Sequence, residues 1–175
     1  MVNFFKVCIC GDSEVGKTTL THQYLKGRFK SNAERTIGSN FFIKRFKLPE
    51  TKTLLTLQGW DLAGQEHFRW VRNAFYKGAK GIVYVYDLTR KDTFESLYNW
   101  KEEVEEVLGV VPNILVGNKV DLLNPISRVA KNEEIIELKK LVSANDYFET
   151  SAKIGTNVND VFQKLSLLMY KTFNK

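Results

Sequence analysis

Apolar and polar positions along the chain follow two rhythms. "FFKVCIC" (4–10) is a short apolar run rich in β-formers and predicts a strand. "GKTTLTHQYLKGRF" predicts a helix over 16–29. "NFFIKRFKL" (40–48), the turn-like "PETK" and "TLLTLQGW" (53–60) predict a hairpin. "KGIVYVYD" (80–87) and "NILVGNKVD" (113–121) open as near-continuous apolar strands, the pattern of strands covered on both faces. Between them Phe94, Leu97, Trp100, Val104, Val107 and Leu108 recur at helical spacing. Val158, Val161, Phe162, Leu165, Leu168 and Met169 repeat that stripe near the end, and both stripes read as core. The alternation predicts an α/β fold: a mostly parallel six-stranded sheet, one antiparallel hairpin strand, and helices on both faces. In such sheets ligands bind beyond the carboxyl ends of the strands, so chemistry is expected just after apolar runs.

Composition narrows this picture only modestly. The 175 residues suit one domain, with no repeat or linker, and 43% hydrophobic and 26% charged residues suit a globular chain. No apolar run approaches the ~18 residues of a membrane span. The opening "MVNFFKVCIC" lacks the layout of a secretory signal and the glycine that myristoylation needs. Cys8 and Cys10 alternate on one strand and are expected to be buried core thiols of a reducing, cytosolic protein. The net charge of +6 is scattered among acids, so no nucleic-acid partner is expected.

"GDSEVGKT" (11–18) fits G-x-x-x-x-G-K-[ST], with a predicted strand before it and a helix after it. The glycines let the loop curl so that backbone N–H groups converge on phosphate oxygens. The helix near Gly16 adds its positive end, Lys17 a point charge, and the Thr18 hydroxyl a ligand for Mg2+. The loop alone does not choose the nucleotide. "WDLAGQEHF" follows the strand ending at Trp60. There Asp61 is placed to hold Mg2+ through water, Gly64 to let an N–H approach a γ-phosphate, and Gln65 to orient an attacking water. "NKVD" (118–121) supplies Asp121, whose carboxylate accepts two parallel bonds from guanine N1–H and its exocyclic amine. Adenine would leave that carboxylate partly unsatisfied, at a cost of ~1–3 kcal/mol or more. Asn118 is expected to tie neighbouring loops and the Lys119 stem to lie on the base. In "TSAK" (150–153), small Ser151 and Ala152 leave room for a backbone N–H to reach guanine O6. Four motifs, each at a strand end, favour guanine.

The chain resembles a small GTPase of the Ras superfamily, most closely its Rab branch, along nearly its full length. The stretches that carry the likeness are "GDSEVGKTTL", "TIGSNFF", "WDLAGQEHFR", "GAKGIVYVYDLT", "LVGNKVDL" and "ETSAK". The resemblance implies a P-loop NTPase fold, a single G domain over 1–175, and a switch of membrane traffic that hydrolyses GTP to GDP slowly. It implies nucleotide contacts from Ser13, Glu14, Val15, Gly16, Lys17, Thr18 and Thr19, from Asn118, Lys119 and Asp121, and from Ser151, Ala152 and Lys153. Phe29 would stack edge-on against guanine. Thr36 would reach Mg2+ and γ-phosphate when GTP is bound, so Thr18, Thr36 and Asp61 form the metal set. Gln65, Lys17, Thr36 and Gly64 form the catalytic set, and Phe41, Trp60 and Phe75 face effectors. Loss of γ-phosphate would release Thr36 and Gly64 and loosen both switch segments. A GTPase-activating protein, an exchange factor and effectors are the implied partners, the protein itself being a monomer. With no arginine finger of its own, such a site is accelerated ~10³–10⁵-fold by a partner.

Four positions depart from the Rab pattern. Ala33 stands where an aromatic often closes over the nucleotide. Glu14 puts a carboxylate in an anion-binding loop and is expected to point to solvent. Leu62 replaces a threonine, and Ser39-Asn40 makes effector identity non-transferable. No cysteine follows Cys10, so the prenylated tail through which relatives meet membranes is absent from this sequence. The expectation is a chain shortened after its last helix, the alternative an unanchored member. Two rival functions stand beside the switch: a nucleotide-dependent binding module with negligible hydrolysis, and a P-loop kinase, for which no lid insertion is present.

Overall fold

The computed structural model describes residues 3–29, 36–124 and 126–174. Strands β1 (Asn3–Cys10), β2 (Ser39–Lys47), β3 (Leu54–Leu62), β4 (Gly81–Asp87), β5 (Asn113–Asn118) and β6 (Asp146–Thr150) form one sheet in the order β2-β3-β1-β4-β5-β6. Only β2 runs antiparallel, paired with β3 from Ser39 opposite Leu62 to Lys47 opposite Leu54. All other neighbours are parallel. The described residues also form six α-helices: α1 (Lys17–Lys26), α2 (Arg69–Tyr76), α3 (Lys91–Glu95), α4 (Leu97–Leu108), α5 (Asn132–Leu141) and α6 (Val158–Phe173). This is the expected mixed sheet of a Ras-like P-loop fold.

Side-chain alternation along the strands builds two cores, one on each face. Val7 and Ile9 of β1 point into the first, with Leu20 and Tyr24 of α1 and Phe162, Leu165 and Met169 of α6. Cys8 and Cys10 point into the second, with Tyr76, Leu97, Trp100, Val104 and Leu138 from α2, α4 and α5. Burial pushes the Cys8 thiol up to about 12 and Cys10 well above its ordinary value, so both are unreactive core groups. Among the described residues no helix is long and apolar enough to cross a membrane.

Boundaries differ from the periodicity where single residues adopt special conformations. Helix α1 stops at Lys26 rather than residue 29 because Gly27 turns left-handed (φ 63°) and returns its N–H to Gln23. Strand β5 ends at Asn118, where the "NKVD" motif begins, because Lys119 is itself left-handed (φ 70°). The stripe from 94 to 108 is two helices, divided at Ser96, whose hydroxyl donates back to the Thr93 carbonyl (3.2 Å). Helices α2 and α5 are not marked by an apolar stripe. One of the two buried positions of α2 is Arg72, and α5 buries only Ile135 and Leu138. Helix α5 instead draws on its ends: Glu134 accepts the Lys131 N–H (2.8 Å), and Lys139 and Lys140 close the last turn.

The parallel topology sends every strand except β2 toward the same edge. There the turns after β1, β3, β5 and β6 gather. The first core anchors this edge through Tyr24 of α1, stacked on Phe162 of α6 at 4.0 Å between ring centroids. Phe162→Ala is expected to cost about 3–5 kcal/mol. Urea unfolding checks this, with a lowered midpoint and an unchanged slope.

Candidate functional site

The loop from Gly11 to Gly16 leaves β1 and enters α1 at Lys17. Gly16 is left-handed (φ 98°), and a methyl group there would run into the Asn118 side chain. Loop and "NKVD" turn are therefore in contact, and Asn118 laces the contact together. Its Nδ2 donates to Val15 O (2.9 Å), while its Oδ1 accepts Thr150 Oγ1 (2.9 Å) and the Ala152 N–H (3.2 Å). A single carboxamide thus joins the turns after β1, β5 and β6. Gly64, after β3, packs so closely on the backbone of Asp12 and Ser13 that no side chain would fit.

These turns enclose a cavity of about 440 Å³. From the first loop and α1 it is lined by Ser13, Glu14, Gly16, Lys17, Thr18 and Thr19. Phe29, Thr36, Gly64 and Gln65 also line it, as do Asn118, Lys119, Asp121, Ala152 and Lys153. Two expected contact residues stand outside the wall. Val15 is fully buried in the first core, and Ser151 is buried, its hydroxyl donating to Asp121 Oδ1 (2.5 Å). Leu122, which carries no chemical signature in the sequence, is part of the wall. Lys119 pairs with buried Asp87 (2.6 Å), which holds its stem against the cavity. Ala33 lies outside the described residues.

Oxygen donors cluster near the α1 end. Thr18 Oγ1 donates to Asp61 Oδ2 (2.5 Å) and lies 2.8 Å from Thr36 Oγ1. Asn40 Nδ2 reaches both Asp61 Oδ2 (3.3 Å) and Thr36 Oγ1 (3.4 Å), a role its sequence position did not signal. Asp61 is fully buried, and its Oδ1 has no hydrogen-bond partner among the described residues. Burial raises the Asp61 carboxyl above its usual range against the pull of Lys17 and of the Thr18, Asn40 and Thr36 side chains. Two hydroxyls, a carboxylate and an orphaned carboxylate oxygen are hard donors, the set that suits Mg2+.

Lys17 is 6% exposed and donates to the carbonyls of Gly11 (2.7 Å) and Asp12 (2.7 Å). Desolvation brings its ammonium down from 10.5 to about 8. Glu14 is exposed at the cavity rim with φ 67°, a conformation that strains a side-chain-bearing residue. It lies within electrostatic reach of Arg90, whose Nη1 donates to Ser13 O (3.1 Å). Leu62 is fully buried in the second core. Phe41 is 48% exposed, 5.0 Å from Trp60, which is 5.1 Å from Phe75, so the three rings form one continuous surface strip.

Comparison with known proteins follows from this geometry. The model of the Ras family matches residues 6–171. Ras-related protein RABG3f of Arabidopsis thaliana is 42% identical over 165 residues, covering 90% of this chain and 78% of its own length. Ras-related protein Rab7 of Cenchrus ciliaris is 42% identical over 165 residues, with the same coverage of 90% and 78%. Ras-related protein Rab-13 of Canis lupus familiaris is 38% identical over 165 residues, 94% of this chain and 79% of its own.

The lowered Lys17 pKa carries a signed consequence. Between about pH 8 and 10.5 the unfolded chain holds this proton and the folded chain does not, so stability rises with pH across that window. Below pH 8 both states hold it, and the buried ammonium opposes folding by about 3 kcal/mol. Lys17→Met is expected to remove the rise and to stabilise nucleotide-stripped protein at neutral pH. Denaturant titrations at pH 7 and 9.5 check both effects.

Proposed function

Because the chain belongs to the Ras family and is a Rab-like, GTP-hydrolysing switch of membrane traffic, we propose that residues 1–175 act as one G domain whose cavity takes a guanine nucleotide with Mg2+. The observation that carries this reading is the meeting of four separate turns around one cavity, each contributing a different kind of group. The base end is read by Asp121, whose carboxylate accepts from guanine N1–H and the exocyclic amine while the Ser151 hydroxyl donates to its Oδ1. Lys119, braced by Asp87, covers one face of the base, and Phe29 meets its edge. At the phosphate end, Lys17 and the loop amides hold the charge that develops during phosphoryl transfer.

Thr18 and Thr36 would hold Mg2+ directly and Asp61 through water. A bound ion there would supply positive charge to offset that of the phosphate oxygens. Gln65 has a buried amide oxygen with no partner among the described residues, an acceptor suited to aligning a water for in-line attack. The described chain offers no arginine on the cavity wall, which makes the reaction slow and leaves acceleration to a GTPase-activating protein. Thr36 and Gly64 are the groups whose contacts depend on the γ-phosphate. The strip of Phe41, Trp60 and Phe75 lies between their segments and is the surface on which effectors and an exchange factor would read the nucleotide state. On the same reading the protein acts as a monomer in the cytosol and at the cytosolic face of membranes, with proteins rather than nucleic acid as its partners.

Two measurements test this. Purified protein is expected to carry guanine nucleotide, and Asp121→Asn to shift preference toward xanthine nucleotides, because one acceptor oxygen becomes a donor facing xanthine's extra carbonyl. Retained GTP selectivity in Asp121→Asn would remove Asp121 as base reader. Gln65→Leu is expected to slow single-turnover hydrolysis on the order of 10²-fold, leaving GDP release unchanged. Equal hydrolysis by both proteins would favour a pure binding module.

A further inference from the structure

Arg72 is the largest fully buried side chain among the described residues, at 2% exposure. Its charge is met by Glu103 of α4, which accepts Nε and Nη2 at 2.7 Å each in a two-pronged pair. Tyr76 donates a further bond to Glu103 Oε1 (2.7 Å), and Arg69 lies 3.5 Å from Glu103 Oε2. That pairing satisfies the charge and leaves Nη1 over. Nη1 donates to the carbonyls of Ala63 (3.2 Å) and Gln65 (3.0 Å), the two residues on either side of Gly64.

The guanidinium also lies over the Trp100 ring, 4.1 Å from its centroid. Trp100 Nε1 donates to Asp12 Oδ1 (2.8 Å), and Ser96 Oγ donates to Asp12 Oδ2 (2.7 Å). The Asp12 carbonyl accepts Lys17 Nζ (2.7 Å). A continuous chain of contacts therefore runs from the backbone flanking Gly64, through Arg72 and Trp100, to the phosphate loop. A buried ion pair by itself is a poor source of stability, since apolar groups of like volume do as well or better. The bonds from Nη1 are the ones an apolar pair cannot reproduce.

We propose that Arg72 is a positioning residue for GTP hydrolysis, clamping the backbone of Ala63–Gln65 against the phosphate loop so that the Gln65 side chain and Gly64 amide face the reacting phosphate. Glu103 orients the guanidinium, and Trp100 with Asp12 sets its distance from the loop. This rests on the reading of the cavity as a GTP site. It assigns Arg72 to the rate of hydrolysis and not to nucleotide affinity, because the hydrogen bonds that Arg72, Glu103, Trp100 and Ser96 make in this chain of contacts run between α2 and α4, to the Ala63–Gln65 backbone and to Asp12, and none runs to the base-holding turns 118–121 and 150–153.

The test uses Arg72→Met/Glu103→Met, which keeps apolar bulk in the second core, and Arg72→Lys, which keeps the charge without the fork. The double variant is expected to bind and release fluorescent GDP within about 2-fold of the parent while hydrolysing GTP about 10–100-fold more slowly in single turnover. Arg72→Lys is expected to fall between the two. A folded double variant that hydrolyses at the parental rate overturns the proposal, as does a loss matched by an equal acceleration of GDP release. Should the double variant not fold, hydrogen exchange on Arg72→Lys decides: faster exchange confined to residues 63–68 supports the clamp, and unchanged exchange there refutes it. A parent that binds no GDP defeats the cavity reading instead, and the exchange measurement still judges the clamp.

Discussion

The carboxamide of Asn118 is the interaction on which the site depends. The parallel sheet brings the turns after β1, β5 and β6 to one edge, but proximity does not set their spacing. Asn118 sets it, donating into the phosphate loop at Val15 and accepting from Thr150 and Ala152. Because its three bonds are buried, replacing it leaves unmet groups at Val15, Thr150 and Ala152, on two neighbouring turns at once. The width of the cavity is thus tied to one residue at the end of a central strand. Its neighbours, Lys119 on Asp87 and Asp121 on Ser151, hang from the same frame.

Much of the fold was legible because its elements are governed by burial. Strands buried on both faces show as continuous apolar runs, and α4 and α6 carry clean stripes. The misses have physical causes. Helix α2 is hidden because a buried arginine occupies a position where periodicity looks for a hydrocarbon, and α5 because its ends hold it as much as its short apolar face. The end of β5 was legible only through the "NKVD" motif, since Lys119 is not a residue type that advertises a left-handed turn.

The site was legible in a different way. Loops that hold phosphate and guanine require particular residues at particular spacings, and those spacings can be read without coordinates. The structure brings the phosphate-loop residues, Gly64, Gln65, Asn118, Lys119, Asp121 and Ala152 to one cavity, with Val15 and Ser151 supporting from behind. Asn40, Leu122 and Arg72 were not legible. Asn40 and Arg72 act through where the fold delivers them, Asn40 onto Asp61 and Arg72 onto Glu103 and two loop carbonyls, and no local pattern encodes such contacts.

The two cores, separated by the sheet, answer to different demands. One is closed by α1 and α6 through hydrocarbon and aromatic packing and touches the cavity where the phosphate loop feeds α1 and at Ala152. The other contains α2 and α4 and is threaded by polar links that reach the turn carrying Gln65. Sequence drift on the first face is therefore felt as endurance of the fold, and drift on the second as the tempo of the timer. A lineage can retune its clock on one side of the sheet while the foundation opposite stays as it was.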